Sequence, residues 1–277
     1  MTTTPKERID VLLVERGFYP SREKAKAALM AGLVLVDDEP VDKSGTKVAR
    51  TSEIRVKGAV HPYVSRGGLK LEKAIKSFGI ELKDRVMLDI GASTGGFTDC
   101  ALQNGASFVY AIDVGYNQLD WALRQDERVK VMERTNFRYM TPADLDGPPP
   151  TFASIDVSFI SLKLILPALG TLLSEGSGVV ALIKPQFEAG REQVGKSGVV
   201  REPKVHAQVL RGVLAAASEI GFELKNLTFS PITGGEGNIE FLAHWSWANR
   251  PLATLPDENL IMAVVESASE TFTVKKK

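Results

Sequence analysis

Four charged residues stand where the surrounding sequence is apolar. Lys184 closes the run Val179-Val180-Ala181-Leu182-Ile183 and is followed by Pro185, and Asp156 closes Ser154-Ile155. Glu240 sits inside Ile239-Glu240-Phe241-Leu242, and Lys70 opens a stretch whose Leu69, Ala74, Ile75 and Phe78 share one helical face. Charge in such places is costly unless paired. Two lysines and two acids form a neutral set, so one cluster would offset all four. If the apolar runs are parallel strands, Asp156 and Lys184 fall at carboxyl ends, where α/β sheets hold their ligands.

A second group of residues surrounds a turn. Val86-Met87-Leu88-Asp89-Ile90 breaks into Gly91-Ala92-Ser93-Thr94-Gly95-Gly96 and resumes at Phe97. The order reads as strand, glycine loop and helix, a place for a nucleotide-like ligand. It lacks the Gly-Lys-Ser/Thr ending of a phosphate loop and departs from the dinucleotide fingerprint Gly-x-Gly-x-x-Gly. Asp89 at the strand's mouth would repel a pyrophosphate and suit a cationic or amino-bearing ligand. The run Phe108–Ile112 ends at Asp113, 24 residues after Asp89, where an acid grips ribose hydroxyls. An acid at each strand end without phosphate donors points to S-adenosylmethionine.

The elements that must position these residues alternate in type. Strand runs at Val86–Ile90, Phe108–Ile112, Val129–Met132, Ala153–Val157 and Val179–Ile183 are separated by helical stretches near 96–104, 117–124, 159–174 and 203–220. That alternation predicts a parallel sheet covered on both faces. Leu224–Ser230 and Ile239–Trp247 read as a hairpin that adds an antiparallel strand. Asn249 to Lys277 reads as a tail with one short helix near Leu260–Val265 and a frayed Lys275–Lys277 end.

Ahead of this lies a small, differently patterned segment. Ile9, Leu12 and Leu13 have helical spacing up to Gly17; Ser21 caps a second helix from Arg22 to Ala31; Leu33–Val36 and Glu53–Val56 read as short strands. Arg22 and Lys26 lie four apart on one helical face with Lys24 close by, a surface suited to phosphates. Residues 1–85 hold 17 Lys and Arg against 12 Asp and Glu, whereas the chain as a whole holds 34 of each. The basic front end is therefore the expected polyanion-binding end.

Composition excludes other classes. With 44% hydrophobic and 25% charged residues over 277 positions, the chain is that of a globular protein of one large or two smaller domains. A single cysteine, Cys100, permits no internal disulfide and fits a reducing cytoplasm. No apolar run approaches membrane-helix length, and Met1–Lys6 is followed by no signal-type apolar segment. A pore-forming haemolysin therefore has no inserting stretch to point to. A nicotinamide oxidoreductase has no use for the basic front segment, and a pseudouridine synthase none for the glycine loop. A non-catalytic RNA-binding protein would require a degenerate loop.

Arg8-Ile9-Asp10-x-x-Leu13, Ser21-Arg22-x-x-Ala25 and Gly32-x-Val34-x-Val36 resemble the small αL RNA-binding domain first known from a ribosomal small-subunit protein. Lys70, Asp156, Lys184 and Glu240, in Leu69-Lys70-Leu71, Asp156-Val157-Ser158-Phe159, Ile183-Lys184-Pro185-Gln186-Phe187 and Asn238-Ile239-Glu240, resemble the Lys-Asp-Lys-Glu tetrad of FtsJ-like ribose 2′-O-methyltransferases. The two modules in this order are similar to the TlyA family, some members of which carry a haemolysin label.

The resemblance implies an α/β fold, with a Rossmann-like class I methyltransferase sheet behind an α+β RNA-binding domain. Its expected segments are 7–60 for RNA binding, 61–80 for a linker and first helix, 81–248 for the methyltransferase domain and 249–277 for the tail. It implies S-adenosylmethionine as donor and a cytidine 2′-hydroxyl of ribosomal RNA as acceptor. Lys70, Asp156, Lys184 and Glu240 would be catalytic, with Lys184 either a proton acceptor or an electrostatic positioner. Gly91, Ser93 and Gly95 would approach the methionine part beside Asp89, Asp113 would take the ribose hydroxyls, and Asn136, or nearly as well Thr135 or Phe137, the adenine. Arg8, Ser21, Arg22, Lys24, Lys26 and Arg66 would meet RNA, and the Gln186–Val200 loop would close over it. No metal is expected.

Overall fold

The computed structural model describes residues 6–19, 21–56, 61–253 and 256–274. The chain divides into two compact units, Met1–Pro62 and Tyr63–Lys277.

In the first unit, strand β1 (Lys6–Arg8) leads into helices α1 (Ile9–Glu15) and α2 (Arg22–Met30), followed by short strands β2 (Val34–Val36), β3 (Glu39–Pro40), β4 (Lys47–Ala49) and β5 (Ile54–Val56). β1 pairs antiparallel with β4, and β2 lies between β3 and β5. Ile9, Leu12 and Leu13 from α1 meet Ala25 and Leu29 from α2 and Val34 from β2, all fully buried. Ser21 caps α2 by accepting from Lys24 N at 3.3 Å. The cap is the one read from the sequence, and it satisfies an amide left over at the helix start.

The second unit begins with α3 (Gly68–Phe78), ended at Gly79, and continues β6 (Val86–Ile90), α4 (Gly96–Gln103), β7 (Phe108–Ile112), α5 (Trp121–Arg124), β8 (Val129–Met132), β9 (Phe152–Ile155), α6 (Leu166–Leu172), β10 (Gly178–Ile183), α7 (Pro185–Glu188), α8 (Pro203–Ile220), β11 (Phe222–Phe229), β12 (Phe241–Trp247) and α9 (Glu258–Val274). The seven strands order as β11-β12-β10-β9-β6-β7-β8. Only β12 runs against its neighbours, as the hairpin reading expects.

Alternate residues of each strand enter opposite cores. Met87 and Val109 face α3 and α4, while Leu88, Tyr110 and Ile112 face α6, α8 and α9. Both faces being covered, the strands read as continuous apolar runs. The chain turns back on itself beside β6, whose neighbours β7 and β9 lie on opposite sides. The carboxyl ends at that switch open a crevice.

Three stretches differ from the sequence reading. Residues 117–120 are not helical, because the Glu133 carboxylate draws in the amides of residues 117–119 and Asp120 caps the shortened α5. The 159–174 stretch holds a 3-10 turn at Leu162–Leu164 before α6, with Ser161 capping the turn and Pro167 near the helix start. The tail carries α9, 17 residues long, with Ile261, Val265 and Ala268 fully buried against the α8 side of the sheet. Its period is helical throughout, but only packing on a distant helix makes so long an element worthwhile. Lys275–Lys277 lies outside the described residues.

Candidate active site

The glycine loop begins where β6 ends. Gly91 has φ +87°, and a Cβ there would stand 2.5 Å from the carbonyl oxygen of Asp156. Gly95 has φ +97°, and a Cβ there would strike Leu123 and stand 2.8 Å from Leu119. Both glycines are thus demanded by backbone conformation and by the neighbours behind the loop. For Gly95 this differs from the ligand-facing place expected of it. Ser93 takes φ +49° without being glycine, and its amide donates to Asp113 Oδ2 at 2.8 Å. Asp113 Oδ1 accepts from Gly115 N at 2.7 Å. Asp113 therefore ties the end of β7 to the loop after β6.

Asp89 is not at the mouth of the cleft. It is fully buried within β6, accepting from Thr98 Oγ1 at 2.6 Å and from Ser154 Oγ at 3.1 Å. Burial pushes its carboxyl up to about 6, against the pull of those two hydroxyls. It fastens α4 and β9 to the root of the loop. The alternation of a strand hides this: Asp89 lies one residue short of the end, and its side chain points into the covered face.

The four charged residues converge from four elements. Lys70 on α3 places Nζ 2.7 Å from Glu240 Oε2 and 3.2 Å from Asp156 Oδ2. Lys184, after β10, places Nζ 2.5 Å from Asp156 Oδ1 and 3.1 Å from Ser158 Oγ. Asp156 follows β9, and Glu240 precedes β12. The side chains of Lys70, Lys184 and Glu240 are 10%, 8% and 3% exposed, so each cation is itself withdrawn from water. Burial pushes the Asp156 carboxyl up, but the two ammonium groups outweigh it and hold it below its ordinary range. Burial pulls Lys70 down, and Asp156 and Glu240 together outweigh that and raise it.

This cluster forms one wall of a cleft of about 640 Å³ that also takes in Gly91, Ala92, Ser93 and Thr94. Arg66 stands exposed at its edge and donates to the Thr233 carbonyl at 3.0 Å. The Gln186–Val200 segment contributes Val194, Ser197 and Gly198 to the wall. It is fastened by buried Asn238, which accepts from Val200 N at 3.1 Å and donates to Gly198 O at 2.9 Å. Neither Asp113 nor Asn136 is among the residues lining this cleft; Asn136 is exposed and caps the turn Phe137–Tyr139 by accepting from Arg138 N at 3.2 Å.

Sequence reasoning missed two aromatic residues. Phe159 is 90% exposed at the cleft, with φ +63°, and its ring lies 5.0 Å from that of Phe187. An exposed, non-glycine residue in the left-handed region is strained, and such strain gathers at functional sites. The signal available in the sequence was the position of each phenylalanine three residues after a tetrad member.

The first unit holds its basic residues differently from the reading of an open phosphate-facing surface. Arg8 Nε lies 2.9 Å from Asp10 Oδ1, and an Arg22 amino group 2.7 Å from Asp10 Oδ2. Asp10 is fully buried while both arginine side chains are more than 40% exposed. Lys24 is exposed and Lys26 half-buried on α2.

No helix among the described residues is long and apolar enough to cross a membrane. Residues 63–247 match the FtsJ-like methyltransferase family, and residues 7–54 match the S4 domain. A Bacillus subtilis protein, YqxC, described provisionally as an rRNA methyltransferase, is 61% identical over 99% of this chain and 98% of its own. A Mycobacterium tuberculosis 16S/23S rRNA (cytidine-2′-O)-methyltransferase, TlyA, is 43% identical over 84% of this chain and 87% of its own. A solved structure from Streptococcus thermophilus, described provisionally as a hemolysin, is 54% identical, covers 99% of both chains and superposes with a TM-score of 0.78. The chain therefore belongs to the FtsJ-like methyltransferase family, enzymes that use S-adenosylmethionine, and carries an S4 domain in front of the catalytic unit.

Proposed function

We propose that this enzyme methylates a cytidine 2′-hydroxyl of ribosomal RNA and that Lys184 accepts the hydroxyl proton. The observation that carries the reading is the buried, neutral cluster of Lys70, Asp156, Lys184 and Glu240 on the wall shared with the glycine loop. The names of the relatives support cytidine in ribosomal RNA. Ribosomal RNA as substrate places its work in the cytoplasm.

The residues present fit the donor. The loop Gly91–Thr94 offers backbone and small side chains without a lysine or arginine, and the carboxylate of Asp156 stands on the same cleft. The loop itself therefore suits a ligand part without phosphate, and the tetrad beside it leaves no net charge to oppose a positively charged one. When bound, S-adenosylmethionine supplies an activated methyl group on a positively charged sulfur. Ala92, Ser93 and Thr94 would hold its amino-acid end. Asp113 would take the ribose hydroxyls with the lone pairs left after Ser93 N and Gly115 N.

A ribose hydroxyl is a poor nucleophile, so the chain must align it and remove its proton. Lys184 Nζ, having first released its own ammonium proton to solvent, takes the hydroxyl proton with the lone pair so freed, as the hydroxyl oxygen bonds to the methyl group. Asp156 holds Nζ in place through Oδ1, while Lys70, itself paired with Glu240, holds Asp156 through Oδ2. Phe159 and Phe187 offer ring faces to an unstacked base, worth about 1–3 kcal/mol per stacked base. Arg66 would meet a phosphate at the rim. The first unit would add affinity by shape and backbone contact through Lys24, Lys26 and the outer edges of Arg8 and Arg22.

The test is transfer of labelled methyl from S-adenosylmethionine to unmethylated ribosomal subunits, with the RNA digested to nucleosides. Label in 2′-O-methylcytidine is the expected result. Label in a base, or none in RNA, overturns the reading.

A further inference from the structure

We infer that Glu133, a residue outside the cleft, positions the cofactor-binding loops by clamping the chain between Gly115 and Asp120. The inference rests on the donor site proposed above at Gly91–Thr94 and Asp113.

Glu133 follows β8, and its side chain is 9% exposed. Its Oε2 accepts from Asn117 N at 2.8 Å, and Oε1 accepts from Gln118 N at 2.9 Å and Leu119 N at 3.3 Å. The Arg124 guanidinium pairs with the same carboxylate. Three successive backbone donors on one side chain make an anion nest closed by the protein's own carboxylate. Burial pushes this carboxyl up, but the three amides and the guanidinium outweigh it and hold it at about 2. The clamp is therefore intact throughout the neutral range.

The clamped segment touches the donor site at both ends. Upstream, Gly115 N donates to Asp113 Oδ1, and Gly115 O accepts from Arg134 N, the residue after Glu133. Downstream, Leu119 and Leu123 fill the space behind Gly95, and Asp120 N donates to Thr94 O at 3.0 Å. Asn117 takes φ +56° between them. A non-glycine residue holds that conformation only when its surroundings over-determine it, and here the carboxylate does so. Glu133 lines no part of the cleft, so its influence passes through Asp113 on one side and Thr94–Gly95 on the other.

Glu133→Gln keeps the size of the side chain but replaces one acceptor oxygen with a nitrogen that cannot accept an amide proton. Its expected effect is a rise of about tenfold in KM and Kd for S-adenosylmethionine, the scale of one lost hydrogen bond to a charged group. The KM for RNA, and kcat at saturating donor, stay within about twofold of wild type. A clamp that mattered only for folding would instead lower kcat by reducing the active fraction, with KM unmoved. Arg124→Gln leaves all three amides their acceptors, though it removes the bond from Arg124 Nε to the Leu119 carbonyl at 3.1 Å, and is expected to shift donor affinity less than Glu133→Gln.

Unchanged donor affinity in Glu133→Gln overturns the inference, and so does an equal rise in the KM for both substrates. Should Glu133→Gln fail to fold, Glu133→Asp, which keeps the charge on a shorter stem, must still show the donor-specific rise or the inference fails. Wild-type protein that binds no S-adenosylmethionine in calorimetry would defeat the donor site itself, a separate outcome.

Discussion

Asp10 and Asp156 are both aspartates held between two cations, one in each unit of the chain, and they serve opposite ends. Asp10 is fully buried, but its partners Arg8 and Arg22 reach it from the surface with side chains 41% and 48% exposed. Asp156 faces a cleft, and its partners Lys70 and Lys184 are themselves buried. Arginine is the better clamp, being permanently charged and planar, whereas a lysine ammonium can give up a proton. Pairing of charge is common to both clusters. Of these two clusters, withdrawal of a deprotonatable cation onto a cleft wall belongs to the second, and on it the proposed chemistry rests.

The sharpest way to break this contrast is at Lys184. Lys184→Ala and Lys184→Arg are both expected to lose methyl transfer by about 10²-fold or more, the scale of a lost general base, while calorimetry still finds donor and RNA bound. Arginine keeps the charge but not the proton exchange, so near-normal turnover of Lys184→Arg would reduce the residue to a positioner.

Asp10→Asn should do the reverse. Removing the anion between two guanidinium groups is expected to cost about 2 kcal/mol of stability, measured by denaturant unfolding of the first unit's transition, with kcat unmoved. A fall in kcat at saturating RNA would erase the distinction.

The pH dependence of stability carries a third contrast. The Arg8 side chain and the other contacts of Asp10 hold its carboxyl at about 2. Its contribution is present above the ordinary carboxylate range near 4 and is lost as pH falls through about 2. Asp89, pushed up to about 6 by burial, has the opposite sign. Its contribution is present below about 4 and lost as pH rises through about 6. Asp89→Asn should therefore flatten the dependence of the unfolding midpoint between about pH 4 and 6, by roughly 2 kcal/mol at most. The hydroxyls of Thr98 and Ser154 can rotate to suit the amide. An unchanged slope would remove the buried acid from the account.

The smallest expected effect is on α2. Lys24→Ala should weaken RNA binding evenly across sequences and reduce the salt slope by about 1, as for one phosphate contact. Arg22→Ala, which opens the Asp10 clamp, should lower the unfolding midpoint as well. If both substitutions act alike on stability and binding, the two cations have one role and the division drawn on this helix fails.

Much of the catalytic unit is legible in the sequence because strands buried on both faces announce themselves as apolar runs, and a charge closing such a run has few bland explanations. Lys184 and Asp156 stood out for that reason, and the structure brings them within 2.5 Å. Other features depend on partners that no local pattern names. Asp89 reads like a ligand-facing acid, but strand alternation turns it inward to Thr98 and Ser154. Gly95 is fixed by Leu119 and Leu123 rather than by an approaching ligand. Asp10 lies twelve residues before Arg22, so the helical face that reads as open to phosphate is partly engaged. The backbone strain at Phe159 leaves no trace in residue type, and α9 gains its length from packing on α8 and β11.

The central claim is that the Lys70–Asp156–Lys184–Glu240 cluster of this chain methylates ribose in ribosomal RNA. It is tested most directly by mapping 2′-O-methylation along the ribosomal RNA of cells whose copy of the gene is intact, deleted, or altered to Lys184→Ala. The account predicts that the deletion and the single substitution lose methylation at the same cytidine position or positions and nowhere else. Identical maps in all three strains, or a Lys184→Ala strain that keeps the modification the deletion loses, would contradict it.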